Sequence, residues 1–234
     1  MPDQARRPPA QREALLDAAL KTVAFDGWSD ACFRSAASDV GISLESARAC
    51  CPRGALDLAV DFHRRGDDAM AERLETEDLE AMRYRDRVAI AVRRRLEAVE
   101  DKEAARRSCA LFALPQNAPE GARLIWNTAD RIWKSLGDDS VDFNWYSKRA
   151  TLSCVYASAA LYWLGDESPD RRDTWAFLDR RIEDVMRIGK IRAGIEEVPL
   201  LKQALAGPER LLSRIRPPSA TRRRDLPGFL SEGE

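Results

Sequence analysis

Residues 142–149 read Asp-Phe-Asn-Trp-Tyr-Ser-Lys-Arg, which puts two large aromatic side chains and both signs of charge within eight positions. That composition suits recognition: Trp and Tyr anchor interfaces, and nearby charges fix orientation. Trp145 and Tyr146 are the expected anchors; the competing reading has Trp145 merely plugging a helix end. Catalytic groups are scarce. His63 is the single histidine, so paired-histidine metal sites and Glu-x-x-His iron motifs cannot form. On its charged helix His63 reads as a solvated side chain. There is no Gly-rich phosphate loop of the usual spacing, and a Cys–His nucleophile pair would have only His63 to use. The expectation is a binding protein, with no enzymatic activity, no metal and no cofactor.

The elements that position this stretch are helices. Residues 150–164 carry no charge; a membrane-spanning helix needs about 20 apolar residues, so these 15 read as a buried helix of a folded domain. Leu152, Val155 or Tyr156, Ala159 and Trp163 recur at helical spacing. The remaining residues are mostly small, which permits either close helix packing or a cavity. Upstream, helices are expected over residues 54–82, 84–99, 102–114 and 122–136, the last led in by Asn117 as a cap. Ile125, Ala129, Ile132, Trp133 and Leu136 share one face, with Trp126 beside it. Within 84–99, Arg93-Arg94-Arg95 reads as a mostly solvated face. A last core helix spans 171–188, with Trp175, Leu178, Ile182, Val185 and Met186 in register.

At the N-terminus, a helix over 11–25 ends at Gly27. Ser29 or Asp30 caps a second helix that runs to Val40. Gly41-Ile42-Ser43 makes a tight turn, and a third short helix stops before Pro52. That is a helix-turn-helix spacing. Its third helix, the presumed recognition helix, sets one cation, Arg48, against one anion, Glu45, where a DNA reader carries several base and phosphate contacts. The net charge of −1 also gives no pull towards nucleic acid. After Glu196, Leu200, Leu201, Leu205, Leu211, Leu212 and Ile215 make an apolar side, while Lys202, Arg210, Arg214 and Arg216 lie elsewhere. This segment is either a membrane-surface helix or one that packs back on the body. Residues 217–234 read as a disordered tail. The 234 residues are 44% hydrophobic and 33% charged, enough for a real core and long solvated helices. Five scattered cysteines suggest reduced thiols, and the start of the chain lacks a secretory h-region. Bacterial cytoplasm is the expected compartment.

Six blocks occur in an order that carries a family resemblance: residues 25–30, 52–58, 113–119, 142–146, 148–150 and 173–181. The chain resembles the accessory lipid-binding proteins of ubiquinone (coenzyme Q) biosynthesis, which have a TetR-repressor-like helical fold. One departure is Cys50-Cys51, where a Leu-Phe pair is expected. The resemblance implies an all-α bundle of about nine core helices plus a C-terminal amphipathic helix. The expected divisions are a helix-turn-helix-like unit at 1–53, a lipid-binding body at 54–190 and a membrane-contacting segment at 196–216. It implies an isoprenoid quinone-like ligand, delivery of that ligand to the di-iron demethoxyubiquinone hydroxylase, and peripheral attachment to the inner membrane. The implied partner surface is Asp142, Asn144, Trp145, Tyr146, Lys148 and Arg149. TetR-like proteins commonly pair through their last two core helices, so a homodimer is expected. Periodicity, not the family, suggests Leu111, Leu114, Trp126, Trp133, Leu152, Tyr156 and Ala160 as the lipid-binding set. The competing function is a ligand-responsive TetR-type regulator that binds DNA.

Overall fold

The computed structural model describes residues 10–140 and 143–196, with side chains at 10–140 and 144–187. Ten α-helices form the described part: α1 Ala10–Leu20, α2 Val23–Asp26, α3 Asp30–Val40, α4 Leu44–Cys50, α5 Ala55–Glu75, α6 Tyr84–Glu97, α7 Lys102–Ala113, α8 Ala118–Ser135, α9 Phe143–Gly165 and α10 Arg172–Glu196. A 3-10 turn, Pro169–Arg171, precedes α10. Among the described residues no helix is long and apolar enough to cross a membrane. Asp142 and the segment that holds Leu200, Leu201, Leu205, Leu211, Leu212 and Ile215 lie outside the described residues.

Local chemistry sets most helix ends. Ser29 accepts the Cys32 amide at the start of α3, and Ser43 accepts the Ser46 amide at the start of α4. Each spares a helix an unpaired N–H. Gly41 closes α3 at φ 75°, a left-handed conformation that favours glycine. The first helix breaks at Lys21-Thr22, so the expected single element becomes α1 and α2. The expected Asn117 cap does not form; its side-chain amide donates to the Leu111 carbonyl at 3.1 Å. Helix α5 stops at Glu75, seven residues short of Met82.

Two cores result. Leu15, Leu16, Val23, Phe33, Ala47 and Leu58 belong to the first, under the helix-turn-helix unit. Of the Cys50-Cys51 pair, Cys51 is fully buried there and Cys50 partly buried. Helix α5 serves both cores. The Trp28 indole N–H donates to the Ala104 carbonyl at 3.2 Å, which ties the unit to α7. The second core gathers Met70, Val92, Leu96, Ile132, Trp133, Leu152, Trp163 and Leu178 from α5, α6, α8, α9 and α10. Helix α9 is not wholly buried: Ala150 and Cys154 are exposed, Leu161 is 64% exposed and Tyr162 is 41% exposed. Lack of charge was a poor guide, because one face of this helix opens outward. Met186 of α10 likewise lies on the outer side at 39% exposure.

Candidate functional site: an apolar cavity and an aromatic patch

A cavity of about 440 Å³ lies among α5, α6, α7, α8 and α9. Small and apolar residues make most of its wall: Phe62 and Ala69 from α5, Phe112 from α7, Gly121 and Ile125 from α8, and Ala157, Ala160 and Leu164 from α9. Its size suits a small-molecule ligand. Gly121 is there for close approach, since a Cβ would stand 2.8 Å from the Phe112 Cβ. Exposed wall residues (Cys109, Ala113, Ala118, Ala122 and Leu161) mark a mouth between the α7–α8 hairpin and α9.

The buried wall is more polar. Arg95, only 2% exposed, donates from Nε to Asp67 at 2.6 Å and from a terminal nitrogen to the His63 carbonyl at 2.9 Å. The Thr128 hydroxyl faces two acceptors, Asp67 at 2.8 Å and the Leu124 carbonyl at 3.2 Å; either takes its one proton, so its oxygen accepts from His63 Nε2 at 2.8 Å. Burial and the nearby Arg95 charge push the imidazole pKa down to about 4, which keeps the ring neutral at pH 7. Burial raises the Tyr156 phenol to about 12, so it too is neutral. The Tyr156 ring lies 6.4 Å from His63 and 5.6 Å from the Arg95 guanidinium carbon. His63 is therefore a network residue rather than a solvated one, and Arg95 is not part of an outer face. The partners that hold them inside sit on other helices.

Of the seven residues expected at the lipid, Tyr156 and Ala160 line this cavity. Leu111 instead packs on the first core, and Leu114 is 44% exposed. Trp133 and Leu152 fill the second core, and Trp126 joins the aromatic patch described below. The reason is register: on α7 the residues facing the cavity are Ala105, Ser108, Cys109 and Phe112, and Leu111 lies one position, about 100°, off that line. Phe62, His63, Gly66, Arg95 and Trp163 were missed as wall residues. The 62–66–69 spacing on α5 was the available signal.

A separate cluster stands at the start of α9. Trp145 packs edge-on against Tyr146 at 4.7 Å, and both approach Trp126 of α8, at 6.0 and 6.4 Å. These rings are half-buried, and Asn144 is exposed beside them. The Arg149 guanidinium stacks 4.1 Å from the Trp145 ring. It bonds Asp130 at 2.7 Å, Asp138 at 3.0 Å and the Trp145 carbonyl at 3.2 Å. At 1% exposure Arg149 cannot contact a partner; it supports the rings from behind. Lys148 also bonds Asp138, at 2.6 Å. Hydrogen bonds from Lys148, Ser140 and Arg149 outweigh burial and hold the Asp138 carboxyl below its usual range.

Among the described residues no group of three or more His, Cys, Asp or Glu side chains stands close enough to hold a metal ion. All five cysteines are free thiols. A larger cleft of about 720 Å³ borders α1, α5 and α8, but it is lined by paired charges such as Arg12–Asp61 and Lys134–Asp130. It has no comparable apolar wall.

The described residues form an all-helical, TetR-like fold. A TetR transcriptional regulator from Nitrosomonas europaea superposes with a TM-score of 0.62 at 19% identity, over 75% of this chain and 97% of that one. The chain resembles the COQ9 family: the COQ9 family model matches residues 118–189, which carry α8, the aromatic patch and α9. It is 45% identical over 83 residues to the mitochondrial ubiquinone biosynthesis protein COQ9 of Rattus norvegicus, covering 36% of this chain and 27% of that protein. The Homo sapiens protein of the same name is 31% identical over 186 residues, 75% of this chain. That match covers 57% of the human protein, so the chain spans little more than half of that relative's length.

Proposed function

We propose that this chain is a non-enzymatic carrier in ubiquinone biosynthesis that holds an isoprenoid quinone intermediate in the α5–α9 cavity. The observation that carries this reading is the cavity wall: small and apolar side chains from five helices around about 440 Å³. Burying each CH₂ of an isoprenoid tail contributes about 0.8 kcal/mol, so the tail can bind without polar contacts. The similarity to proteins named for ubiquinone biosynthesis supports the choice of lipid. Purification from the native host followed by mass spectrometry of an organic extract tests it. A quinone or isoprenoid precursor at near one per chain is the expected result; trace lipid only would reject the reading.

The aromatic patch is the docking surface for the demethoxyubiquinone hydroxylase, with Asn144, Trp145, Tyr146 and Lys148 at the contact. Trp145→Lys is expected to abolish hydroxylase pull-down at unchanged helicity, and an unchanged pull-down would remove this assignment. The outer strip of α9 and α10 supports pairing of two copies. There Met186 and Tyr162 are exposed, and Tyr162 stacks on Phe177 at 4.6 Å. Met186→Glu is expected to halve the mass seen in sedimentation. Membrane attachment through residues 196–216 places the carrier at the lipid's store, and vesicle co-sedimentation with and without that segment tests it.

A further inference from the structure

We infer that the buried wall formed by His63, Arg95 and Tyr156 is a head-group site, so the ligand enters ring first and its tail points to the mouth. This rests on the lipid reading above and adds an orientation and a head-group class to it. Three observations carry it. His63, Arg95 and Tyr156 contact one another on the cavity's buried side, while the exposed rim is mostly apolar, with Ala113, Ala118, Ala122 and Leu161 beside Cys109 and one carboxylate, Glu100. The groups also arrive with their mutual needs met. Asp67 compensates Arg95 at 2.6 Å, and His63 Nε2 is committed to Thr128. That commitment leaves Nδ1 of the neutral ring as an acceptor, while the Tyr156 hydroxyl can donate or accept. Finally, Gly66 lets the guanidinium reach this wall: a Cβ there would stand 2.6 Å from an Arg95 terminal nitrogen.

The charge balance selects the head. Asp67 compensates Arg95, and Asp17 pairs with Arg65, the other arginine in the wall, at 2.7 Å. A carboxylate or phosphate head would meet cations that already have partners, and would be desolvated for little return. A neutral ring that bears hydroxyl, carbonyl or methoxy oxygens suits the site: its hydroxyl can donate to the imidazole and its carbonyl can accept from the phenol. Such a ring can also stack against the aromatic wall residues.

The test is a titration of the full-length protein with two probes, a two-isoprene dimethoxybenzoquinone and an isoprenoid hydrocarbon of matched length. Tyr156→Phe keeps the ring and removes the hydroxyl. The variant is expected to bind the quinone roughly three- to tenfold more weakly, the range of one buried hydrogen bond, with hydrocarbon affinity and melting temperature unchanged. Equal losses for both probes would show that Tyr156 only shapes the wall. Unchanged affinity for both would put the head elsewhere. Either result overturns the head-group site and leaves the lipid reading in place. If the wild-type protein binds neither probe, the lipid reading fails, and the head-group site fails with it.

Discussion

Replacing Arg149 with Met tests whether the aromatic patch is held in place by a buried charge cluster. Met keeps much of the length and apolar stem but removes the guanidinium. In the wild type that group joins Asp130 of α8, Asp138 of the following loop and the Trp145 carbonyl of α9. Asp138 is 4% exposed at its side chain and Arg149 is 1% exposed. Breaking a buried pair by removing one partner costs about 3–5 kcal/mol. Asp138 keeps its bonds to Lys148 and Ser140, and Asp130 keeps Lys134, so the lower end, about 3 kcal/mol, is expected. For a domain of this size each kcal/mol shifts the melting temperature by about 2–4 °C, which gives a drop of roughly 6–12 °C by circular dichroism. If the patch is the proposed docking surface, the variant also loses the hydroxylase pull-down, although Arg149 itself is hidden. A melting point within about 2 °C of wild type, or full capture, would refute the claim that Arg149 supports Trp145.

Three further predictions follow from other parts of the chain. His63 has a folded-state pKa near 4 against an ordinary value of 6.5. Between those values the unfolded chain binds more protons, so stability falls as pH drops from about 6.5 towards 4 and is intact above that window. The loss between about pH 7 and 5 should be near 2 kcal/mol by urea denaturation, and His63→Gln should flatten it. Gly66→Ala puts a methyl against a guanidinium pinned by Asp67 and the His63 carbonyl. It should cost about 1–3 kcal/mol, seen as a lower urea midpoint. The helix-turn-helix unit should not read DNA: Asp30 pairs with both Arg34 and Arg48, the latter at 2.7 Å. A gel-shift titration should show no steep salt dependence, and a slope of several phosphate contacts would reject this.

What the sequence revealed was chiefly what adjacent residues decide. Ser29, Ser43 and Gly41 cap their helices because capping involves only a turn of chain, and the helix-turn-helix spacing follows from them. Periodicity also separated the apolar faces of α8 and α9 well enough to place Ile132 and Trp163 in a core, but not to tell that Trp133 and Leu152, expected at the lipid, belong there with them. Charge was misleading wherever the partner was distant. Arg95 looks solvated in an arginine run until Asp67, 28 positions earlier, is brought beside it. Arg149 looks like a surface cation until Asp130 and Asp138 close around it. The cavity was visible only as an ambiguity: the same small residues permit close packing or empty space. Five helices had to be assembled to decide between them.

The assembled helices also connect the patch to the cavity. Trp145 and Tyr156 lie on α9, 11 residues and so about 16 Å apart along one helix. On α8, Trp126 touches the patch while its neighbour Ile125 lines the cavity. A partner that presses on the Trp126–Trp145–Tyr146 cluster therefore bears on the two helices that form one side of the cavity. If docking rotates α8 or shifts it along α9, the cavity between them must change shape, because packed helices do not deform continuously. Linkage then requires the converse: lipid in the cavity must alter affinity at the patch by the same factor. Hydroxylase affinity measured with and without the benzoquinone probe reads that factor directly. A difference of about fivefold or more, the lower range for coupled sites, would show that the carrier reports its load. Equal affinities would show that α8 and α9 present the patch and enclose the lipid as independent surfaces.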